Sequence, residues 1–125
     1  MSDFRILLAD DEVALRFLLT ETLSEEGYAI TEAEDGQQAI EQLSKHSYDL
    51  VILDYMMPER TGVEVCDWLR KNGGPNRNIP VILLTAKALE KDKEKAKAAG
   101  VTTYIVKPFS PLQLLDTVEG LLNGV

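Results

Sequence analysis

The sequence is poor in several of the residues that usually announce a chemistry. It has one cysteine, Cys66, and one histidine, His46, in 125 residues. A single cysteine excludes an intramolecular disulfide, and a lone cysteine in a helical pattern reads as a small apolar filler. A reducing, cytoplasmic setting is consistent with that usage. His46 has no partner motif around it, which makes it a poor candidate for catalysis or metal binding. No stretch approaches the ~18 consecutive apolar residues of a membrane span, and Met1 to Arg5 does not lead into a signal-peptide pattern. Positive charge is scarce: 13 Lys and Arg against 21 Asp and Glu give a net charge of −8. That balance argues against direct nucleic-acid binding through the surface as a whole. No glycine-rich loop follows the first apolar run. Asp10-Asp11-Glu12 stands there instead, a sequence that repels phosphate unless a cation is present.

What is present is an ordinary globular composition, 45% apolar, in a length that fits one domain over residues 1–125. A chain of this size buries roughly two thirds of its unfolded surface and needs no staples. Short apolar runs alternate with helical patterns. Phe4 to Ala9 reads as a buried strand, and Asp11 can cap a helix with a core-facing strip at Leu15, Leu18, Leu19, Thr22 and Leu23. Tyr28 to Ala33 is a second strand. Asp35-Gly36 turns the chain into a helix carrying Ala39, Ile40 and Leu43. Tyr48 to Asp54 is nearly continuous and apolar, as in a sheet covered on both faces. Thr61 opens a helix with Val63, Val65, Cys66, Trp68 and Leu69, and Asn72 to Asn76 is a strong loop signal. Ile79 to Leu84 is the fourth strand, Leu89 to Ala99 a lysine-rich helix ended by Gly100, and Val101 to Val106 the fifth strand. Ser110-Pro111 starts a last helix that runs to about Leu122. The pattern is (βα)5, an α/β fold with a doubly wound parallel sheet and helices on both faces.

In such a sheet the carboxyl ends of the strands share one edge, where ligands bind. Asp10, Asp11, Asp54, Thr85 and Lys107 fall at those ends. Crowded carboxylates favour a hard divalent cation, with Mg2+ the expected one. An Asp before a helix is also a common cap, so the Asp10-Asp11 pair is weak by itself. Asp54 closes the most apolar strand and suits a nucleophile toward phosphorus. Lys107 and Thr85 supply a cation and a hydroxyl for phosphoryl oxygens.

In Leu7-Leu8-Ala9-Asp10-Asp11-Glu12, Asp49 to Pro58, Ile82-Leu83-Leu84-Thr85-Ala86 and Tyr104-Ile105-Val106-Lys107-Pro108-Phe109, the sequence resembles the receiver domains of two-component response regulators along its whole length. The resemblance implies the strand order 2-1-3-4-5 of the flavodoxin-like receiver fold. It implies that Asp54 is the phosphoacceptor, with Lys107 at the phosphoryl group. Mg2+, or Mn2+ in its place, would be held by Asp11, Asp54 and the Met56 backbone carbonyl, with Asp10 acting mainly through water. Thr85 and Tyr104 would form the switch, and the Lys107–Pro108 bond would be cis. Met56 and Lys87 are the positions through which the family tunes phosphoryl lifetime, and Met56 is expected to shield the group in part. The implied donor is a phosphohistidine on a sensor histidine kinase or a histidine phosphotransfer protein. Such a chain is not a conventional enzyme, because it catalyses only its own modification.

Val13, Ala14 and Phe17 lie off the core strip of the first helix, beside the pocket mouth, and suit partner docking; packing of Phe17 under the last loop is the alternative. The resemblance places the output face, for a downstream protein partner, on the fourth helix, fifth strand and last helix. Two other classes compete. A metal-dependent phosphatase with an aspartyl-phosphate intermediate generally needs an acid–base Asp just after the nucleophile, where this chain has Tyr55 and Met56. A nucleotide- or flavin-binding module lacks its glycine-rich loop. A stand-alone receiver and the receiver portion of a longer regulator fit the sequence equally.

Overall fold

The computed structural model describes residues 4–86 and 90–123, leaving Lys87 and Leu89, together with the side chains of Glu90 and Lys91, outside the described residues. Strands β1 (Arg5–Ala9), β2 (Ala29–Ala33), β3 (Leu50–Asp54), β4 (Val81–Thr85) and β5 (Thr103–Val106) alternate with helices α1 (Val13–Glu25), α2 (Gly36–Lys45), α3 (Gly62–Asn72), α4 (Glu90–Ala99) and α5 (Pro111–Asn123). The strands form one parallel sheet in the order β2-β1-β3-β4-β5. Parallel neighbours cannot be joined by tight turns, so every connection crosses over through a helix.

The central strands are apolar at nearly every position because both faces are covered. Ile6, Leu8, Leu50, Ile52, Ile82 and Leu84 face Leu19 and Leu23 of α1 and Leu114 and Val118 of α5. Leu7, Ala9, Val51, Leu53, Val81 and Leu83 face α2, α3 and α4 through Ala39, Leu43, Val65, Leu69 and Ala96. Local signals start the helices as the sequence suggests. Asp35 accepts from the Gln38 N–H at 2.8 Å, and Thr61 and Glu64 close a reciprocal capping box. Ser110 accepts from the Gln113 N–H at 3.1 Å, ahead of Pro111.

Two expectations for the first helix change. Asp11 is not its cap. The Asp10 carboxylate takes the Glu12 N–H at 2.9 Å, and Glu12 sits at the cap position without a side-chain bond. Leu18 is 48% exposed rather than core-facing. The apolar strip is wider than the contact with the sheet, so its outer edge stays in solvent while Leu19 and Leu23 are fully buried. The Asn72 to Asn76 loop is also more ordered than its composition suggests. It contains a 3-10 turn at Gly74–Asn76, and Asn76 is buried.

Candidate functional site

Strand register brings the polar residues together. Ala9 pairs with Leu53, Asp54 with Leu84, and Thr85 with Val106, so β1, β3, β4 and β5 end at one level. The residues at or just beyond those ends are Asp10, Asp54, Thr85 and Lys107. The Lys107 N–H donates to the Thr85 carbonyl at 2.7 Å, which carries the β4–β5 pairing one step past the strand. The Lys107–Pro108 bond is cis.

At the centre of this edge Asp10, Asp11 and Asp54 each place a carboxylate oxygen within 4.8 Å of the others. Asp10 is fully buried, Asp54 is 6% exposed, and Asp11 lies open to solvent. Lys107 Nζ stands 3.1 Å from Asp54 Oδ1 and 3.9 Å from Asp10 Oδ2. Burial pushes the Asp54 carboxyl up to about 6, repulsion from Asp10 adds to the rise, and the Lys107 hydrogen bond opposes it. Asp10 is raised too, chiefly by burial, while the Glu12 N–H and Lys107 pull it down.

This arrangement passes a simple test for a hard cation. The donors are all carboxylates, their oxygens lie close enough to share one ion, and Asp10 Oδ2 is buried with no hydrogen-bond partner and only the Lys107 ammonium, 3.9 Å away, facing it. An orphaned buried anionic oxygen is costly unless a cation faces it. Lys107 alone cannot neutralise three carboxylates.

The turn after β3 is shaped around the same point. A Cβ on Gly62 would collide with the Asp54 carbonyl and with Leu83, and the Gly62 N–H donates to the Tyr55 carbonyl at 2.8 Å. Only glycine lets the start of α3 come this close to the backbone of Asp54. Gly36 is similar, since its Cβ would strike Arg60 of the same turn. Met56 follows in the turn and is 70% exposed; with Tyr55, Thr85, Ala86 and Asp92 it lines a cavity of about 200 Å3 beside the carboxylates.

Contacts run from the edge to α4. The Tyr55 hydroxyl reaches Asp92 Oδ1 at 3.4 Å, and Lys93 Nζ lies 5.9 Å from the centre of the half-buried Tyr104 ring. Thr85 is buried. Beside the mouth, Val13, Ala14 and Phe17 are exposed, and at 65% exposure Phe17 is not packed under the last loop. A recess of about 520 Å3 between α3 and α4, lined in part by Val63, Trp68 and Ala99, lies on the flank away from the carboxylates. His46 is an exposed loop residue, and Cys66 is buried with its thiol pushed up to about 11 by burial.

Sequence periodicity passes over Arg16. Its guanidinium donates from Nη1 to the Asp10 carbonyl at 2.6 Å and from Nε to Glu32 at 2.8 Å. A charged residue inside an amphipathic helix normally reads as solvated. The one available signal is that Arg16 lies on the same face as Leu19 and Leu23.

Comparison with known proteins agrees with the geometry. Residues 6–119 match the family described as response regulator receiver domain. The transcriptional regulatory protein ResD of Bacillus subtilis is 43% identical over 122 residues, covering 98% of this chain and 49% of that protein. The phosphate regulon transcriptional regulatory protein PhoB of Escherichia coli is 34% identical, covering 97% of this chain and 52% of its own length. The chain thus spans about half the length of these curated relatives. Among solved structures, the chemotaxis protein CheY4 of Vibrio cholerae superposes with a TM-score of 0.90 at 32% identity, covering 97% of this chain and all of that one. The receiver domain of sensor histidine kinase PA1611 from Pseudomonas aeruginosa, which has a magnesium ion coordinated in its active-site cleft, superposes at 0.87 with 29% identity, covering 98% and 99% of the two chains.

Proposed function

We propose, from the premise that the chain belongs to the response regulator receiver family, that it is a phosphorylation-activated switch of a two-component system with Asp54 as phosphoacceptor. The observation that carries this reading is the setting of Asp54: buried at the end of β3, 3.1 Å from Lys107 Nζ, and within reach of two further carboxylates. A receiver is not a conventional enzyme. It serves as both substrate and catalyst of its own modification.

Asp10, Asp11 and Asp54, with the Met56 backbone carbonyl, would hold Mg2+, or Mn2+ in its place. The Mg2+ in the cleft of the related PA1611 receiver domain supports the assignment. When bound, the ion supplies positive charge against the carboxylates and the transferring group. The step itself belongs to the chain. An ionised Asp54 oxygen attacks phosphorus, an acyl phosphate O–P bond forms, and the P–N bond to the donor histidine breaks with its electron pair left on the imidazole. With its pKa raised to about 6, Asp54 is mostly ionised at neutral pH, as a nucleophile must be. Lys107 pairs with phosphoryl oxygens. The Thr85 hydroxyl donates to them, and Tyr104 turns inward behind it.

The readout runs toward α4, β5 and α5, which would meet a downstream protein. Tyr55–Asp92 and Lys93–Tyr104 supply contacts through which the pocket and α4 can sense each other. Val13, Ala14 and Phe17 would dock the sensor histidine kinase or histidine phosphotransfer protein. Residues 1–125 act as one receiver unit in the cytoplasm, alone or within a longer regulator, without direct nucleic-acid contact of their own. Among the described residues no helix is long and apolar enough to cross a membrane.

The test is mass spectrometry after incubation with acetyl phosphate and Mg2+, repeated with a phosphorylated histidine kinase. A gain of one phosphoryl group in wild type and none in Asp54→Asn is expected. No gain from either donor would overturn the reading.

A further inference from the structure

We propose that Arg16 is a positioning residue for the metal site, holding the Asp10–Asp11 peptide so that both carboxylates aim at one point. The inference rests on the metal-site reading above. Its basis is the set of bonds that fixes Asp10. The Asp10 N–H donates to the Ala33 carbonyl at 3.1 Å, its Oδ1 accepts from the Glu12 N–H at 2.9 Å, and its carbonyl accepts from Arg16 Nη1 at 2.6 Å. Oδ2 alone has no hydrogen-bond partner. The backbone and one carboxylate oxygen are anchored, and the other oxygen is presented to the site.

The Arg16 bond has a reach beyond Asp10 itself. A peptide unit is planar, so the direction of the Asp10 carbonyl also sets the N–H and Cα of Asp11. Arg16 therefore orients two of the three carboxylates from behind. Its own position is fixed: the side chain is 11% exposed, Nε is bound to Glu32 of β2, and its backbone N–H donates to the Glu12 carbonyl at 2.9 Å. Its two side-chain bonds leave one planar group in two directions, to a carboxylate on the neighbouring strand and to a carbonyl at the end of β1. A guanidinium does this with pre-set geometry, whereas an ammonium offers one nitrogen for both partners.

Mg2+ affinity is measured by calorimetric titration of wild type, Arg16→Met, Arg16→Lys, Glu32→Gln and Asn76→Ala, with urea unfolding in EDTA run in parallel. Asn76 lies remote from the carboxylates and is bonded to Tyr48, Leu43 and His46, so it controls for lost stability alone. Arg16→Met is expected to weaken Mg2+ binding by about tenfold or more, the usual effect of removing a group that orients metal ligands. Arg16→Lys should weaken it severalfold, since it keeps the charge and loses the fork. Glu32→Gln still accepts from Nε and should stay within about twofold of wild type, as should Asn76→Ala despite its lower stability. Wild-type affinity in both Arg16 variants would overturn this inference while leaving the metal site intact. Full affinity in Arg16→Lys with loss in Arg16→Met would also overturn it, by reducing the role to charge. Absence of Mg2+ binding by wild type would overturn the metal-site reading and this inference together. If Arg16→Met does not fold, Arg16→Lys decides.

Discussion

Asp54→Asn should stabilise the metal-free protein at neutral pH although it removes the residue on which the proposed function depends. Burial and the neighbouring Asp10 raise the Asp54 carboxyl from 3.8 to about 6, with the opposing pull of Lys107 already included. A tenfold change in proton affinity is worth about 1.4 kcal/mol, so the ionised form costs the fold roughly 3 kcal/mol at neutral pH. Asparagine has nearly the shape of the protonated acid and never ionises. Allowing for relaxation of the pocket, the variant should gain about 2 kcal/mol, or about 6–10 °C in midpoint for a domain of this size.

The pH dependence gives the sharper check. Because the folded pKa is raised, the folded state binds its proton more tightly than the unfolded chain does. That stabilisation is complete below about 3.8 and is lost as pH rises through about 6. Wild type and variant should therefore be nearly equal in stability at about pH 4, separate between about pH 4 and 6, and stay apart by a constant amount above about pH 7. Urea unfolding in EDTA, followed by far-UV circular dichroism across this range, measures the gap. Excess Mg2+ should then narrow it, because a ligand at about 100 times its dissociation constant adds about 2.7 kcal/mol to the state that binds it. A variant less stable than wild type at neutral pH, or one with the same advantage in acid, would refute the reasoning.

Three further substitutions probe other parts of the molecule. Gly62→Ala should destabilise by about 3 kcal/mol in thermal or urea unfolding, since its Cβ meets the Asp54 carbonyl and Leu83 and the backbone must move; a change under about 0.5 kcal/mol would mean the turn gives way freely. Asn76→Ala should lose about 3 kcal/mol, because the amide accepts from the Tyr48 N–H at 2.8 Å and donates to the Leu43 and His46 carbonyls at 2.9 and 2.7 Å, leaving buried backbone groups without partners. Met56→Asn should speed autodephosphorylation severalfold by replacing an apolar cover with a group that can hold water; an unchanged rate, followed by loss of the phosphorylated mass, would exclude Met56 as a shield.

The fold was legible because its physics is repetitive. Buried parallel strands must be apolar throughout, helices must show a 3.6-residue stripe, and the caps at Asp35, Thr61 and Ser110 mark where one pattern gives way to the other. The carboxylate cluster was legible for a related reason: strand ends share an edge, so Asp10, Asp54 and Lys107 had to meet. Less legible was anything set by a single long-range contact. Asn76 reads as loop composition, yet it joins the end of α2 to the start of β3. Arg16 reads as a surface charge and is mostly buried. Leu18 reads as core and is half exposed, because periodicity fixes a face but not how far the sheet extends beneath it.

The same packing decides which part of the molecule can answer a change at Asp54. Helix α3 is held by Val65, Cys66 and Leu69, all fully buried, and by Arg70, which donates to the Gly100, Arg77 and Ile79 carbonyls. Helices α1 and α5 bury leucines against the other face. Among its described residues α4 buries only Ala96 and Ala99, methyl groups worth about 1 kcal/mol each. Two of its polar contacts, Tyr55–Asp92 and Lys93–Tyr104, are long and partly exposed and add little, while the buried Cys66 thiol donates to the Ala99 carbonyl at 3.4 Å. The apolar anchors of α4 among its described residues thus amount to a few kcal/mol, the scale on which a new charge-assisted hydrogen bond at Thr85 would act in the proposed switch. Moving α3 would cost several times that. On the proposed function, a signal that begins at Asp54 would therefore meet less resistance at α4 than at α3, on the side of the sheet where Tyr104 stands.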